Sequence, residues 1–158
     1  MPKTRELIQF YLISFTWGLP WTLVGLLVFG IVWLFLHEQI KVRVVAGRIS
    51  VKFTEKRFGG VSLGIVYFVD RSDSYRLNTH ELGHTIQSMY WGPLFVFVIA
   101  IPSFLRYHYR GILRKYFPDK AKKLPHYDAI WFEGQATKLG IKHFDEAVRK
   151  LRLNRGLK

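Results

Sequence analysis

The sequence predicts an α+β membrane protein. Three observations carry that expectation: an N-terminal apolar run long enough to cross a bilayer, a following stretch with strand-like alternation, and two helical segments that bear metal-ligating side chains among apolar neighbours. A chain of 158 residues has room for one compact core beside a membrane segment. Its residues are 49% hydrophobic and 16% aromatic, yet the formal net charge is +13. An anionic lipid bilayer satisfies both properties, whereas no nucleic-acid-binding module accompanies the charge, so nucleic acid is not an expected partner.

Leu7 to Leu36 runs for thirty positions without a charged residue or a histidine, beyond the roughly 20 needed to cross a hydrocarbon core. A cleaved secretory signal would have a shorter apolar stretch and a small-residue cleavage site, and here His37-Glu38-Gln39 follows instead. Gly18-Leu19-Pro20 interrupts the run, and proline inside a helix removes a hydrogen bond and clashes with the preceding turn. One kinked transmembrane helix is therefore expected over residues 1–38, with a helical hairpin as the alternative.

Residues 39–158 are expected to form the second domain. Ile40 to Thr54 alternates charged and apolar residues around Gly47, as a half-exposed β-hairpin does. Val61 to Val69 is rich in β-branched and aromatic residues and predicts a third, more buried strand, giving a small antiparallel sheet. From Leu77 to Tyr90 the pattern is helical, with Asn78 or Thr79 available as N-cap and Gly92-Pro93 as a stop. The apolar stretch 91–105 would make only about 22 Å of helix, too short for a comfortable span. A basic region, Arg106 to Lys123, precedes the approach to a last helix at Trp131, and the chain ends in a basic tail.

Within the first of these helices, His80-Glu81-Leu82-Gly83-His84 places two imidazoles on one face, since positions four apart lie above one another. Two such histidines can bind one zinc ion, with Glu81 beside them as a general base. The chain has no cysteine, so any further ligand is His, Asp or Glu. The downstream candidates are Asp119, His126, Asp128, Glu133, Asp145 and Glu146. Glu133 is the strongest, because Trp131-Phe132-Glu133-Gly134-Gln135-Ala136 sets a lone carboxylate among apolar and small residues. A buried carboxylate is costly unless it is paired or bound to a metal. His126 and Tyr127 are candidates by position for the donor that steadies an oxyanion, and Gln87 and Asn78 for support of the ligands.

At this point the residues resemble a known group. Glu133, some fifty positions after HELGH, looks like the second-helix glutamate of the gluzincin metallopeptidases, whose zinc is held by two histidines and a glutamate. THELGHTIQSMYWGPLFVFVIAIPS, with WFEGQATKLG after it, is similar to small bacterial membrane proteins that carry HExGHT…QS…GPL…IPS and WxExxAxxLG. The resemblance covers roughly residues 61–140. It implies a minimal zincin-like domain, a zinc cofactor on His80, His84 and Glu133, hydrolysis of a peptide or protein substrate, and a bacterial inner-membrane location. Many membrane gluzincins have an Asp four positions after the ligand glutamate; here that position is Thr137, which makes a catalytically weak scaffold or adaptor the alternative.

Topology constrains this reading. Were 91–105 to cross the bilayer, Glu133 would lie across the membrane from His80 and His84, so the stretch must be re-entrant, interfacial or buried. The basic residues that follow then share a side with the zinc, and the positive-inside tendency makes that side cytoplasmic. Lys41, Arg43 and Arg48 agree with this orientation, while Lys3 and Arg5 oppose it.

Overall fold

The computed structural model describes residues 4–55, 58–72 and 74–154, with side chains as far as Asp145 at the C-terminal end. Lys3, the side chain of Glu146 and the last residues of the basic tail, 155–158, lie outside the described residues. The fold is a mixture of helix and sheet in three layers.

The N-terminal apolar run forms two helices, α1 (Thr4–Ser14) and α2 (Leu19–Leu36). The expected kink is a complete break, because Pro20 suits only the first turn of a helix. Thr16 and Thr22 bridge the break by donating hydroxyl hydrogen bonds to the carbonyls of Leu12 and Ser14 at 2.7 and 2.9 Å. Together with the short 3-10 turn after it, α2 gives a 21-residue helix, Leu19–Gln39, long and apolar enough to cross a membrane. One stripe of α2 packs inward, whereas Leu23, Leu27, Ile31 and Leu34 on the other side are exposed.

Four strands follow: β1 (Ile40–Val45), β2 (Arg48–Phe53), β3 (Gly60–Leu63) and β4 (Val66–Val69). The expected first hairpin is present, with Val42 opposite Val51 and a turn at Ala46-Gly47, both at positive φ. The expected single strand over 61–69 is instead a second hairpin. Gly64, at φ 58°, turns the chain, and any side chain there would overlap Thr22 of α2. The sheet order is β1-β2-β4-β3, and β2 pairs with β4 in parallel, Val51 beside Phe68. The sheet is therefore mixed rather than antiparallel. β4 takes an inner place beside β2 because all four of its side chains are aliphatic or aromatic and buried, which suits a strand covered on both faces.

On one face of the sheet, Leu26, Phe29, Val32 and Leu36 of α2 pack on Val51, Phe53, Val66 and Phe68. On the other, Leu82 and Ile86 of α3 (Tyr75–Trp91) cover Tyr67 and Val69, joined by Leu139 and Phe144 of α6 (Trp131–Asn154). Each fully buried side chain of this kind contributes roughly 1.5–3 kcal/mol.

Between α3 and α6 the chain makes an elbow. A 3-10 turn, Gly92–Leu94, and a π-helical turn, Val96–Ala100, lead into α4 (Ile101–Tyr116), and the axis bends by 119°. Trp21 of α2 anchors the elbow, its indole N–H donating to the Pro93 carbonyl at 3.2 Å. The short α5 (Pro118–Lys122) and a 3-10 turn at Tyr127–Ala129 then deliver the chain to α6.

Candidate metal centre

The helix that carries HELGH begins earlier than expected. Ser74 is its N-cap, accepting from the Leu77 N–H at 3.1 Å, so Asn78 and Thr79 lie inside the helix. Its other end is set by Gly92, at φ 50°, whose N–H reaches the Ser88 carbonyl. His80 and His84 consequently sit in the second and third turns and face α6.

Close approach of α6 depends on two glycines. A Cβ on Gly83 would overlap the Ala136 carbonyl, and one on Gly140 would overlap the Thr79 carbonyl. Backbone against backbone, the two helices bring Glu133, in the first turn of α6, against both imidazoles. His80 Nε2 lies 2.9 Å and His84 Nε2 3.4 Å from Glu133 Oε2, and the two Nε2 atoms are 3.1 Å apart. Ligands about 2.0–2.2 Å from one tetrahedral ion would be roughly 3.3–3.6 Å from each other. The trio forms a triangle close to that size, and its atoms can hold a metal ion.

Hydrogen bonds around the trio orient its donor atoms. Gln87 Nε2 donates to the Phe132 carbonyl at 2.8 Å and to Gln135 Oε1 at 2.9 Å, which fixes its amide and turns Oε1 toward His84 Nδ1 at 2.7 Å. His84 Nδ1 then donates to that oxygen, which leaves Nε2 as the ring atom that faces the trio. Glu133 is fully buried, and neither of its oxygens receives a hydrogen bond of good geometry. Burial alone would push its carboxyl up, but the imidazoles of His80 and His84 outweigh that and hold it well below the usual carboxylate range. A divalent cation would take the place of the protons between these nitrogens and the buried carboxylate, and the donor set of two imidazoles and one carboxylate fits one.

His80 Nδ1 lies 2.9 Å from Thr137 Oγ1, so a neutral hydroxyl is the partner of this imidazole. Partners of this kind typically account for 10–100-fold in metal affinity. Thr137→Val should therefore weaken the binding of a divalent metal ion by about tenfold or more, and Thr137→Asp should strengthen it, as read by competition with a chromophoric chelator.

Glu81 borders the same cleft on the side of the sheet. Ser62 Oγ donates to its carboxylate at 2.7 Å and lies 2.8 Å from its backbone carbonyl, and Gly60 leaves the space its side chain occupies. The Asp70 N–H donates to the Gly59 carbonyl at 2.9 Å, which sets the phase of the β3–β4 ladder. Val61 then points its backbone groups at β4, while Gly60 and Ser62 turn theirs to the open edge of the sheet. Asp70 fixes this edge from behind: its carboxylate accepts the N–H groups of Phe58, Gly59 and Ser72 and the Ser72 hydroxyl. Burial pushes the Asp70 carboxyl up, but these bonds outweigh it and lower it below its ordinary value.

A cleft of about 860 Å³ runs between β3 and α4, lined by His80, Glu81, His84, Ser62, Ser103 and Tyr127 among others. Tyr127 stacks edge-on to His80, 6.0 Å between ring centroids. Burial and the neighbouring Glu133 carboxylate push its phenol up to about 12, so it keeps its proton. His126, its neighbour, does not line the cleft; it is largely exposed, lies 3.1 Å from Arg76 Nη2, and caps the 3-10 turn from outside, its Nδ1 accepting from the Asp128 N–H at 3.3 Å. The structure brings Ser62 and Ser103 to the site, and neither carries a sequence signal, since isolated serines are common at many kinds of position.

Compared with known protein families, curated proteins and solved structures, the chain matches none.

Proposed function

We propose that the chain is a metal-dependent hydrolase anchored in a membrane and, more particularly, a zinc endopeptidase of the gluzincin type. The observation that carries this reading is the convergence of His80, His84 and Glu133 beside a fourth group, Glu81, that is buried and held by Ser62 in the same cleft. His80, His84 and Glu133 would hold the ion, and their nitrogen and oxygen donors, without thiolate, suit zinc. Zinc bound there supplies Lewis acidity toward a carbonyl oxygen and toward water.

The remaining work falls to the chain's own groups. Gly60 and Ser62 hydrogen-bond an extended peptide at the sheet edge, which demands no particular side chain from it. Glu81 takes a proton from the attacking water and returns it to the amine that leaves as the C–N bond breaks. Tyr127, a phenol at neutral pH, donates toward the oxygen that gains charge. Lys41 and Arg43, with the cations after the elbow, favour the cytoplasmic face of a bacterial inner membrane.

A catalytically weak scaffold is the second reading, favoured by the neutral Thr137 against His80. The purified protein in phospholipid vesicles separates the two when assayed on a broad peptide panel. Glu81→Gln should lose about 10²–10⁴-fold in turnover while retaining the parent's zinc content. A parent that binds zinc and cleaves nothing on the panel would establish the scaffold instead.

A further inference from the structure

In sequence, α4 belongs to the most basic part of the chain; in the fold, that helix is inside out. Arg106 and Arg110 point toward the protein, where Arg106 donates to the carbonyls of His126 and Tyr127 at 3.3 and 3.1 Å and Arg110 to that of Pro125 at 2.9 Å. Both guanidiniums also lie over the Tyr127 ring, at 5.5 and 5.7 Å. Arg110 and Leu113 are buried beneath the helix. The outward face instead presents Ile101, Phe104, Leu105, Tyr109, Ile112 and Tyr116, each between 44 and 62% exposed, with a single imidazole among them, His108, stacked on Phe104 at 4.2 Å between ring centroids. A water-soluble helix has the reverse arrangement.

We propose that this outward face is immersed in an anionic lipid bilayer, making α4 a second lipid-facing helix beside α2. Continuity argues for lipid. The inner side of α2 is tied to the elbow that leads to α4 by Trp21 and Pro93, and the elbow itself exposes Leu94 and Phe97, as α2 exposes its outer stripe. Charge complementarity argues the same way. Arg114, Lys115, Lys120 and Lys122 gather at the far end of α4, where Lys115 Nζ lies 4.9 Å from the centre of the Tyr116 ring. Tyrosines with snorkelling cations mark a headgroup boundary, whereas lysine is depleted from protein–protein interface cores. The helix has 16 residues, about 24 Å, less than the roughly 30 Å of a hydrocarbon core. With the 119° bend before it, α4 enters and leaves the same leaflet rather than crossing. Because Ser103, Phe104 and Tyr107 of α4 also line the cleft, the mouth of the cleft opens beside the membrane surface.

The absence of cysteine makes the test direct. Single cysteines at Leu105 and Ile112, with Leu27 of α2 and Lys120 as references, are spin-labelled in the full-length protein. Reconstitution into phosphatidylcholine–phosphatidylglycerol vesicles follows, and collision with oxygen is compared with collision with a water-soluble nickel chelate. Gly111→Cys provides a further position on α4, since nothing lies within 4 Å of a Cβ there and folding is undisturbed. Labels at 105, 111 and 112 should show an oxygen-to-nickel ratio matching that at 27 and severalfold above that at 120. A ratio like that at 120 would place the face in water and overturn the proposal. Low collision with both reagents would show that a protein partner or a second copy covers it, which also overturns it. Neither readout depends on zinc or on turnover, so the result is independent of the enzymatic reading.

Discussion

Metal analysis of the purified protein should find one zinc ion per chain, and His84→Ala or Glu133→Gln should abolish it. The expectation rests on geometry in which no one group suffices. Each edge of the triangle lies between 2.9 and 3.4 Å, so removing any corner leaves two donors, which do not retain zinc against solvent. If the roughly 10–16 kcal/mol of a structural zinc site is shared among four donors, one ligand is worth about 3 kcal/mol, or a hundredfold and more in affinity. Glu133→Gln is the sharper variant because it keeps the shape while removing the anion. It also removes the buried charge, so this protein should remain folded without metal, and a thermal melt read by circular dichroism separates loss of zinc from loss of fold. Negligible zinc in parent and variants alike would sink the metal centre and everything proposed from it.

Much of this centre is legible in the sequence, and the reasons are local. Histidines four apart on a helix share a face whatever surrounds them, and a lone carboxylate among Trp131, Phe132, Gly134 and Ala136 has few places to go but inward. The first hairpin is legible for the same kind of reason, since alternation around Gly47 needs only neighbouring residues to be read. What is not legible depends on distance along the chain. Val61 to Val69 is apolar on both sides of Gly64, so one buried strand and two are equally good readings until Thr22 is seen to occupy the space above that glycine. The parallel pairing of β2 with β4 likewise follows from which hairpin strand is more apolar, a comparison that no single window makes. The N-cap is ambiguous because Ser74, Asn78 and Thr79 are all good capping residues within one and a half turns, and the fold selects the first of them. The inversion of α4 is hidden because composition counts arginines without saying where they point. Arg106 and Arg110 turn inward only because the carbonyls of residues 125–127, far along the chain, are there to receive them.

Gly140→Ala should destabilise the protein by about 3 kcal/mol and remove its zinc, although the same change in an ordinary helix stabilises by roughly 0.5–1 kcal/mol. The sign reverses because the obstacle is backbone. A Cβ on Gly140 would overlap the carbonyl oxygen of Thr79, and one on Gly83 the carbonyl of Ala136, and neither can step aside without moving a whole helix. α3 and α6 would have to separate by more than an ångström, as contacts between non-bonded atoms cannot close below about 3 Å. The three donor atoms stand only about that far apart, so the same displacement carries Glu133 away from His80 and His84. Stability and metal affinity should therefore fall together, which distinguishes this variant from a ligand substitution that loses the ion alone. Gly111→Ala is the control: it lies in α4 with open space around it and should gain the usual helical increment while keeping the parent's zinc content. Paired thermal unfolding and zinc measurements on the two variants decide the matter. If Gly140→Ala matched Gly111→Ala in both, the helices could not meet at these glycines, and the contact that brings the ligands together would have to lie elsewhere.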